Sequence, residues 1–115
     1  MSTDLSIFAI AGAKARHAAA RQALIAENVA NADTPGYRAK DIEPFETALA
    51  RAARDGGEFR TRTTESLGAA APNGNTVSLE DQIMRAGGAK RDHEFATTIY
   101  AKSLAMLRAA LGRSR

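Results

Sequence analysis

The chain contains no cysteine and no tryptophan among its 115 residues. Without cysteine there can be no disulfide framework and no thiol chemistry, and this absence is compatible with either side of a membrane. No apolar run approaches the roughly 20 residues that a membrane-spanning helix needs. These absences exclude a disulfide-stapled scaffold and an integral membrane protein.

Bulky apolar residues are also scarce. The hydrophobic fraction is 44%, but 26 residues are Ala and only 20 are Leu, Ile, Val or Phe. Ala side chains supply little of the roughly 25 cal/mol per Å² that apolar burial contributes. We therefore expect a thin core, in an extended helical protein or in one that completes its core with partners. The net charge of +3 argues against a fully disordered chain.

The basic character is mild, although the pI is near 9.7. The basic excess lies towards the C-terminus, and no block of five or six like charges forms a basic arm. The pI leaves a small basic helical nucleic-acid-binding module as an alternative hypothesis, and the dispersed charge weakens it. The N-terminal segment has Asp4 where a secretory signal needs a basic region, and its short apolar stretch is followed by Lys14 and Arg16. We expect any export to use a route without a cleaved signal peptide.

A first helix is predicted over residues 4–31, because only Gly12 interrupts good helix formers. Small and apolar residues alternate spacings of three and four along it, which predicts a heptad-like packing seam with one polar break. The seam consists of Phe8, Ala11, Ala15, Ala18, Gln22, Ile25 and Val29.

A turn is predicted over residues 32–37. Asn31 can end the helix in the left-handed region, and Thr34 is biased to an extended conformation because it precedes Pro35. Pro35 and Gly36 suit the two central positions of a type II turn. Tyr37 then leaves the turn as an aromatic packing anchor.

A short second helix is predicted over residues 44–54, with Pro44 in its first turn. Residues 55–77 are predicted to be flexible, with a strand-like alternation at 59–63 and an Asn-Gly turn near residue 73.

A last helix is predicted over residues 78–111, starting at a capping-box-like Ser78. Gly87 and Gly88 are expected to bend or break its first part. Its apolar face is broader than a two-helix seam requires, which indicates a partner helix. The main packing residues on it are Ile99, Leu104, Met106, Leu107 and Leu111.

The predicted fold is a single mainly α domain over residues 1–115. Its long terminal helices pack as a coiled coil or helical bundle, joined by a short middle helix and a flexible loop region. Surplus apolar surface would remain on the last helix.

No catalytic, cofactor-binding or metal site is predicted. Asp92, His93 and Glu94 point in different directions on a helix and cannot share a metal. His17 stands apart from them, and no nucleophile elbow or phosphate loop is present. The chain is therefore not expected to be an enzyme.

Asn28 and Asn31 lie three residues apart at the end of the first helix. They form either a frayed polar end with a cap, or a pair of amides that sets the register of the turn or of a neighbouring helix, as buried Asn does in coiled coils. The residues alone favour neither alternative.

The segment from Ala23 to Asp41 resembles the N-terminal signature of bacterial flagellar axial proteins, the rod and hook subunits. Its core reads Asn-Val-Ala-Asn-Ala-Asp-Thr-Pro-Gly-Tyr, from Asn28 to Tyr37. A second block from Gly74 to Gln82, together with the small size and the ending Met106-Leu107-Arg108, narrows the resemblance to the proximal-rod subunits.

The resemblance implies a structural subunit of the flagellar proximal rod. Such subunits assemble with themselves and with other rod subunits, through terminal helices, around a central channel in the periplasm. They are exported unfolded without a cleaved signal, and they join the membrane ring and export gate to the torque-transmitting drive shaft. It implies no cofactor, no nucleic-acid partner and no membrane insertion. The turn motif would comprise Asn28, Asn31, Thr34, Pro35, Gly36 and Tyr37.

Overall fold

The computed structural model describes residues 2–55, 61–65 and 69–112. In chain order the elements are helix α1 (Ser2–Ala30), strand β1 (Lys40–Ile42), helix α2 (Phe45–Asp55), strand β2 (Thr63–Glu65) and helix α3 (Leu79–Gly112). The structure is 70% helical, and α1 and α3 pack against each other. The predicted mainly α fold with two long terminal helices is confirmed.

The two long helices run antiparallel along a seam of small residues. Asn28 of α1 contacts Gln82 at the start of α3, and Phe8 packs on Tyr100 with ring centroids 4.2 Å apart. Of the ten buried apolar residues in the described part of the chain, seven are alanine. The helices therefore pack mainly through close approach of their backbones, with few bulky side chains between them. Each such contact buries little apolar area.

The buried stripe of α1 departs from the predicted seam in its second half. Gln22 and Val29 are exposed, while Arg21 is half-buried and Asn28 is fully buried. Ala18 and Ile25 keep their predicted places in the stripe, but its other edge runs through Arg21 and Asn28 in place of Gln22 and Val29. Polar side chains thereby enter the seam.

The short elements form a small layer beside α1. Strands β1 and β2 pair antiparallel, with Asp41 opposite Thr64. The strand-like alternation was expected at 59–63, whereas β2 covers Thr63–Glu65, and residues 56–60 and 66–68 lie outside the described part. The carbonyl oxygen of Pro44 accepts hydrogen bonds from Thr47 and Ala48, so α2 begins directly after this proline.

Helix α3 continues through Gly87 and Gly88, so the expected break is absent. A Cβ added at Gly88 would lie 3.9 Å from the guanidinium nitrogens of both Arg21 and Arg91. This is an ordinary van der Waals distance, so a side chain would fit at this position. Packing of α3 against α1 outweighs the cost of about 1 kcal/mol for each glycine.

Asp41 ties three elements together. Its carboxylate accepts from Arg21 Nε of α1 at 3.3 Å and pairs with Arg85 of α3. Arg85 also donates to Asp81 at 2.7 Å. The hydrogen bond to Asp81, reinforced by the charge of Asp41, raises the pKa of the Arg85 guanidinium above its ordinary value. A single carboxylate thereby fixes β1 across both long helices.

We predict that Asp41→Asn lowers the free energy of unfolding by about 1–3 kcal/mol, because two partly buried guanidinium groups lose their shared anion. Urea unfolding followed by circular dichroism measures this change. Asp33→Asn is the matched control, since Asp33 is exposed and has no ion pair among the described residues. Equal stability of the two variants would contradict the role of Asp41.

Candidate functional site

The candidate site is the turn that follows α1. Tyr37 N donates to Thr34 O at 3.2 Å, which closes a four-residue turn around Pro35 and Gly36. Gly36 has φ of 74°, the positive value that the third position of a type II turn requires. The geometry of this turn follows directly from its residue types.

Asn31 ends α1 in a different way from the one expected. None of the described non-glycine residues has positive φ, so Asn31 is not left-handed. Its Nδ2 instead donates to Glu27 O at 2.9 Å, and Thr34 Oγ1 donates to its Oδ1 at 3.1 Å. A side-chain cap satisfies the helix end, which removes the need for a left-handed residue.

A second segment, residues 71–78, closes over the turn. Gly36 N donates to Asn73 O at 2.9 Å, and Thr76 N donates to Tyr37 O at 3.0 Å. The buried Asn75 side chain donates to both Asn31 O and Thr34 O, at 2.9 and 2.7 Å. This part of the loop was expected to be flexible, but its hydrogen bonds hold it against the turn.

Close approach between these segments explains a second glycine. Gly74 has φ of 83°, and a Cβ added there would lie 3.4 Å from the Gly36 Cα. The two positive-φ glycines therefore face each other, and the turn and the closing segment meet backbone to backbone.

Asn28 lies at the centre of the site and is fully buried. Its Nδ2 donates to Lys40 O at 2.7 Å and to Gln82 Oε1 at 3.0 Å. Its Oδ1 accepts from Lys40 N at 3.0 Å and from Tyr37 Oη at 3.1 Å. One amide thus binds α1 to the turn, to β1 and to α3. Of the two alternatives left open for Asn28, the geometry fits the amide that sets register.

Gln82 completes this polar centre from α3. It is 1% exposed, and its Nε2 has no hydrogen-bond partner among the described residues. The desolvation of this nitrogen partly offsets the gain from the Asn28 contact.

Tyr37 covers the edge of the polar centre. Burial, followed by the nearby negative charge of Glu27, raises the pKa of its phenol from the ordinary value of 10.0. Glu27 also pairs with Lys40 at 3.3 Å. Tyr37 therefore acts within the chain both as a hydrogen-bond donor and as a packing group.

The residues predicted to pack the helices divide into two groups. Ile25 is buried, and Phe8, Ile99, Leu104 and Leu107 are half-buried. Val29, Met106 and Leu111 are 45%, 56% and 62% exposed, so they do not pack within one copy of the chain. Residues of this second group are available to a neighbour.

Several site residues were missed from the sequence. Asn75, Thr76 and Gln82 belong to the second block of the family resemblance, from Gly74 to Gln82. Nothing local in the sequence indicates that they reach a turn about 40 residues earlier. His17 is buried, with Nε2 2.7 Å from Glu43 O, and its ring lies edge-on to Phe45. A histidine on an Ala-rich helix gives no signal of such a contact.

Within residues 2–55, 61–65 and 69–112, no three His, Asp or Glu residues are grouped to hold a metal ion. No helix there is both apolar enough and long enough to cross a bilayer.

Two similarities to known proteins were found, and one of them covers this turn. A family model described as "Flagella basal body rod protein" matches residues 12–38, which run from α1 through Tyr37. The chain is also similar to the flagellar basal body rod protein FlgB of Agrobacterium fabrum (strain C58 / ATCC 33970). The two are 27% identical over 113 residues, covering 83% of this chain and 84% of that protein.

The chain is thus similar to flagellar basal body rod proteins over the turn motif and over most of its length. This similarity supports a structural rod subunit of the flagellar basal body, assembled with other rod components. Nothing in the comparisons supports the nucleic-acid-binding alternative. The matched range contains Asn28 and Thr34 but ends before Gln82 and Asn75, their respective hydrogen-bond partners across the fold.

We predict that Asn28→Ala lowers the free energy of unfolding by about 2–4 kcal/mol, because the buried Gln82 amide and partly buried groups of Lys40 and Tyr37 lose their partner. Asn31→Ala is the matched control, since it removes only a half-buried cap, and we expect a loss of about 0.5–1 kcal/mol. Chemical unfolding of both variants compares them. An Asn28→Ala loss no larger than that of Asn31→Ala would disprove the central role of Asn28.

The raised pKa of Tyr37 predicts a pH dependence. The unfolded phenol ionises from about pH 10 upward while the folded one keeps its proton, so this contribution is present below pH 10 and is lost as pH rises through the folded pKa. We expect wild type to exceed Tyr37→Phe in stability by about 0.5–1.5 kcal/mol at pH 8.

The stability difference between wild type and Tyr37→Phe should shrink above pH 10. Unfolding experiments at pH 8 and above pH 10 measure it. Tyr100→Phe, which alters a residue on α3 far from the turn, controls for general alkaline effects. A Tyr37→Phe difference that grew with pH would contradict the assignment.

Proposed function

We propose that this protein is a structural subunit of the flagellar proximal rod and that its role is mechanical. The terminal helices interlock with those of neighbouring subunits to transmit torque and to surround the export channel. The observation that carries the proposal is the Asn28 centre, where one buried side chain joins α1, the turn, β1 and α3. Such a joint holds the turn and β1 at a set angle to the helix pair.

Exposed apolar side chains support assembly through the helices. Ile83, Met84 and Phe95 on α3 are 71%, 74% and 61% exposed. Large apolar groups at this exposure along one helix favour burial against other proteins. In the proposal these neighbours are rod subunits, including copies of this chain.

The location and remaining partners follow from the same proposal. The subunit lies in the periplasmic rod, at the junction with the membrane ring and export gate, and reaches it without a cleaved signal peptide. It needs no cofactor, has no enzymatic activity, does not bind nucleic acid and does not insert into the membrane.

We predict that deleting the gene removes rods and motility and that the wild-type gene restores both. Gly36→Val should fail to restore them. Its Cβ would meet nothing within 4 Å, so its effect comes from the positive φ, which costs a β-branched residue roughly 1–2 kcal/mol or more.

Motility on soft agar and electron microscopy of isolated basal bodies are the measurements. Gly36→Asn is the control, because Asn tolerates positive φ. Normal rods with Gly36→Val would show that the turn geometry is dispensable, and normal rods in the deletion strain would overturn the proposed function itself.

A further inference from the structure

Helix α3 extends beyond the start of α1. The helices have 34 and 29 residues, and they are level at the turn end, where Asn28 contacts Gln82. The difference therefore lies at the opposite end, where the last one to two turns of α3 run past Ser2. Residues 108–112 form this extension, and we call residues 106–112, which add the two residues level with Ser2, the overhang.

The overhang presents the same face that packs against α1 further along. Met106 and Leu107 follow the buried Ser103 by three and four residues, and Leu111 follows Leu107 by four, so they share its face. Met106 and Leu111 are 56% and 62% exposed there. The helix-packing seam thus continues beyond the point where α1 can cover it.

The overhang end is also basic. Residues 102–115 include Lys102, Arg108, Arg113 and Arg115 and contain no acidic residue. Lys102 and Arg108 are exposed and form no ion pair with any described residue. A surface that covers the overhang should therefore combine apolar groups with negative charge.

The turn end of the same molecule has this combination. Leu79, Ile83 and Met84 are 52%, 71% and 74% exposed at the start of α3. Glu80 lies among them, and Asp33 lies in the nearby turn. Both acids are exposed and without an ion pair among the described residues. We call this surface the turn-end patch.

A competing surface on the chain fits less well. An apolar groove of about 140 Å³ lies between α1 and α3, beside Ile7, Ile10 and Phe95. Its one charged lining residue is Lys14, which would repel the basic overhang. Charge therefore favours the turn-end patch over this groove.

We propose that the overhang of one copy docks on the turn-end patch of a second copy, an inference that rests on the proposed function as a self-assembling rod subunit. The two surfaces lie at opposite ends of a molecule 67 Å long. A contact between two different surfaces is heterologous, and without closure it builds an open helical array. Arg108 lies beside Glu80 in this contact, with Leu111 against Ile83.

Disulfide crosslinking tests the contact, since the chain has no cysteine of its own. The variant is Ile83→Cys combined with Leu111→Cys. These positions are 28 residues apart on one helix, about 42 Å, so a disulfide within one copy is excluded. Mild oxidation of concentrated protein should give a ladder of covalent oligomers on a non-reducing gel.

Three controls make the outcome decisive. Each single-cysteine variant should stay largely monomeric, because strong dimers from either one would reveal a two-fold contact and overturn the proposal. Phe95→Cys with Leu111→Cys, which places the first cysteine in the competing groove, should give no ladder. A ladder there but not from the test pair, or no ladder from the test pair, also overturns it.

Charge reversal adds a second readout. In the double-cysteine background, Glu80→Lys or Arg108→Glu should slow crosslinking by roughly two- to fivefold, the range of an exposed ion pair. The two reversals together should restore the rate. Circular dichroism of each variant establishes that it is folded, and unrestored crosslinking in a folded double reversal would contradict the pairing of Glu80 with Arg108.

The same reversals in the deletion strain separate this contact from the proposed function. Impaired rods with each single reversal and recovery with both support the contact. Normal rods with Glu80→Lys and with Arg108→Glu overturn the contact and leave the rod function intact. Absence of the wild-type protein from isolated basal bodies would overturn the rod function itself.

Discussion

The buried amide of Asn28 is the interaction on which the rest of the structure depends. It sits where α1 ends, and its four hydrogen bonds reach the turn, β1 and the start of α3. Asn28 itself is fully buried, so leaving its amide unmatched would be costly. The register between the long helices and the direction of the chain after the turn are therefore set together.

A thin core makes this polar centre more important. Seven of the ten buried apolar residues in the described part are alanine, so the seam between α1 and α3 supplies close contact but little buried area. Directional bonds at Asn28, and the ion pairs that Asp41 makes with Arg21 and Arg85, hold elements that apolar burial alone would hold weakly. Apolar side chains such as Ile83 and Met84 remain on the surface.

These two properties suit a subunit of an assembled shaft. A rod subunit needs a stiff connection between its long helices and the segment that follows the turn. It also needs exposed apolar surface for contacts with neighbouring subunits. Burying that surface within the monomer would remove the contacts that assembly requires. The need for apolar contacts between subunits accounts for the apolar residues on the surface. The polar centre then holds the inside of the chain together.

Much of the architecture could be read from the sequence because the signals are local. Helix periodicity predicted both long helices, and Pro35 with Gly36 predicted the turn, since each residue type has a narrow range of backbone angles. The long motif around Asn28 indicated the family. The helix predicted over residues 78–111 forms as α3 and continues without a break through Gly87 and Gly88, because packing against α1 outweighs a small local propensity.

The contacts of the candidate site were decided by the tertiary structure. Asn75 reaches the turn from residues far along the chain, and Gln82 meets Asn28 across the helix pair. Such pairs join side chains distant in sequence, so no local pattern encodes them. The sequence by itself determined the helices, the turn and the scarcity of core. Only the tertiary structure decided that the amide of Asn28 forms the polar centre. The burial of a side chain depends on which residues from the rest of the chain pack around it.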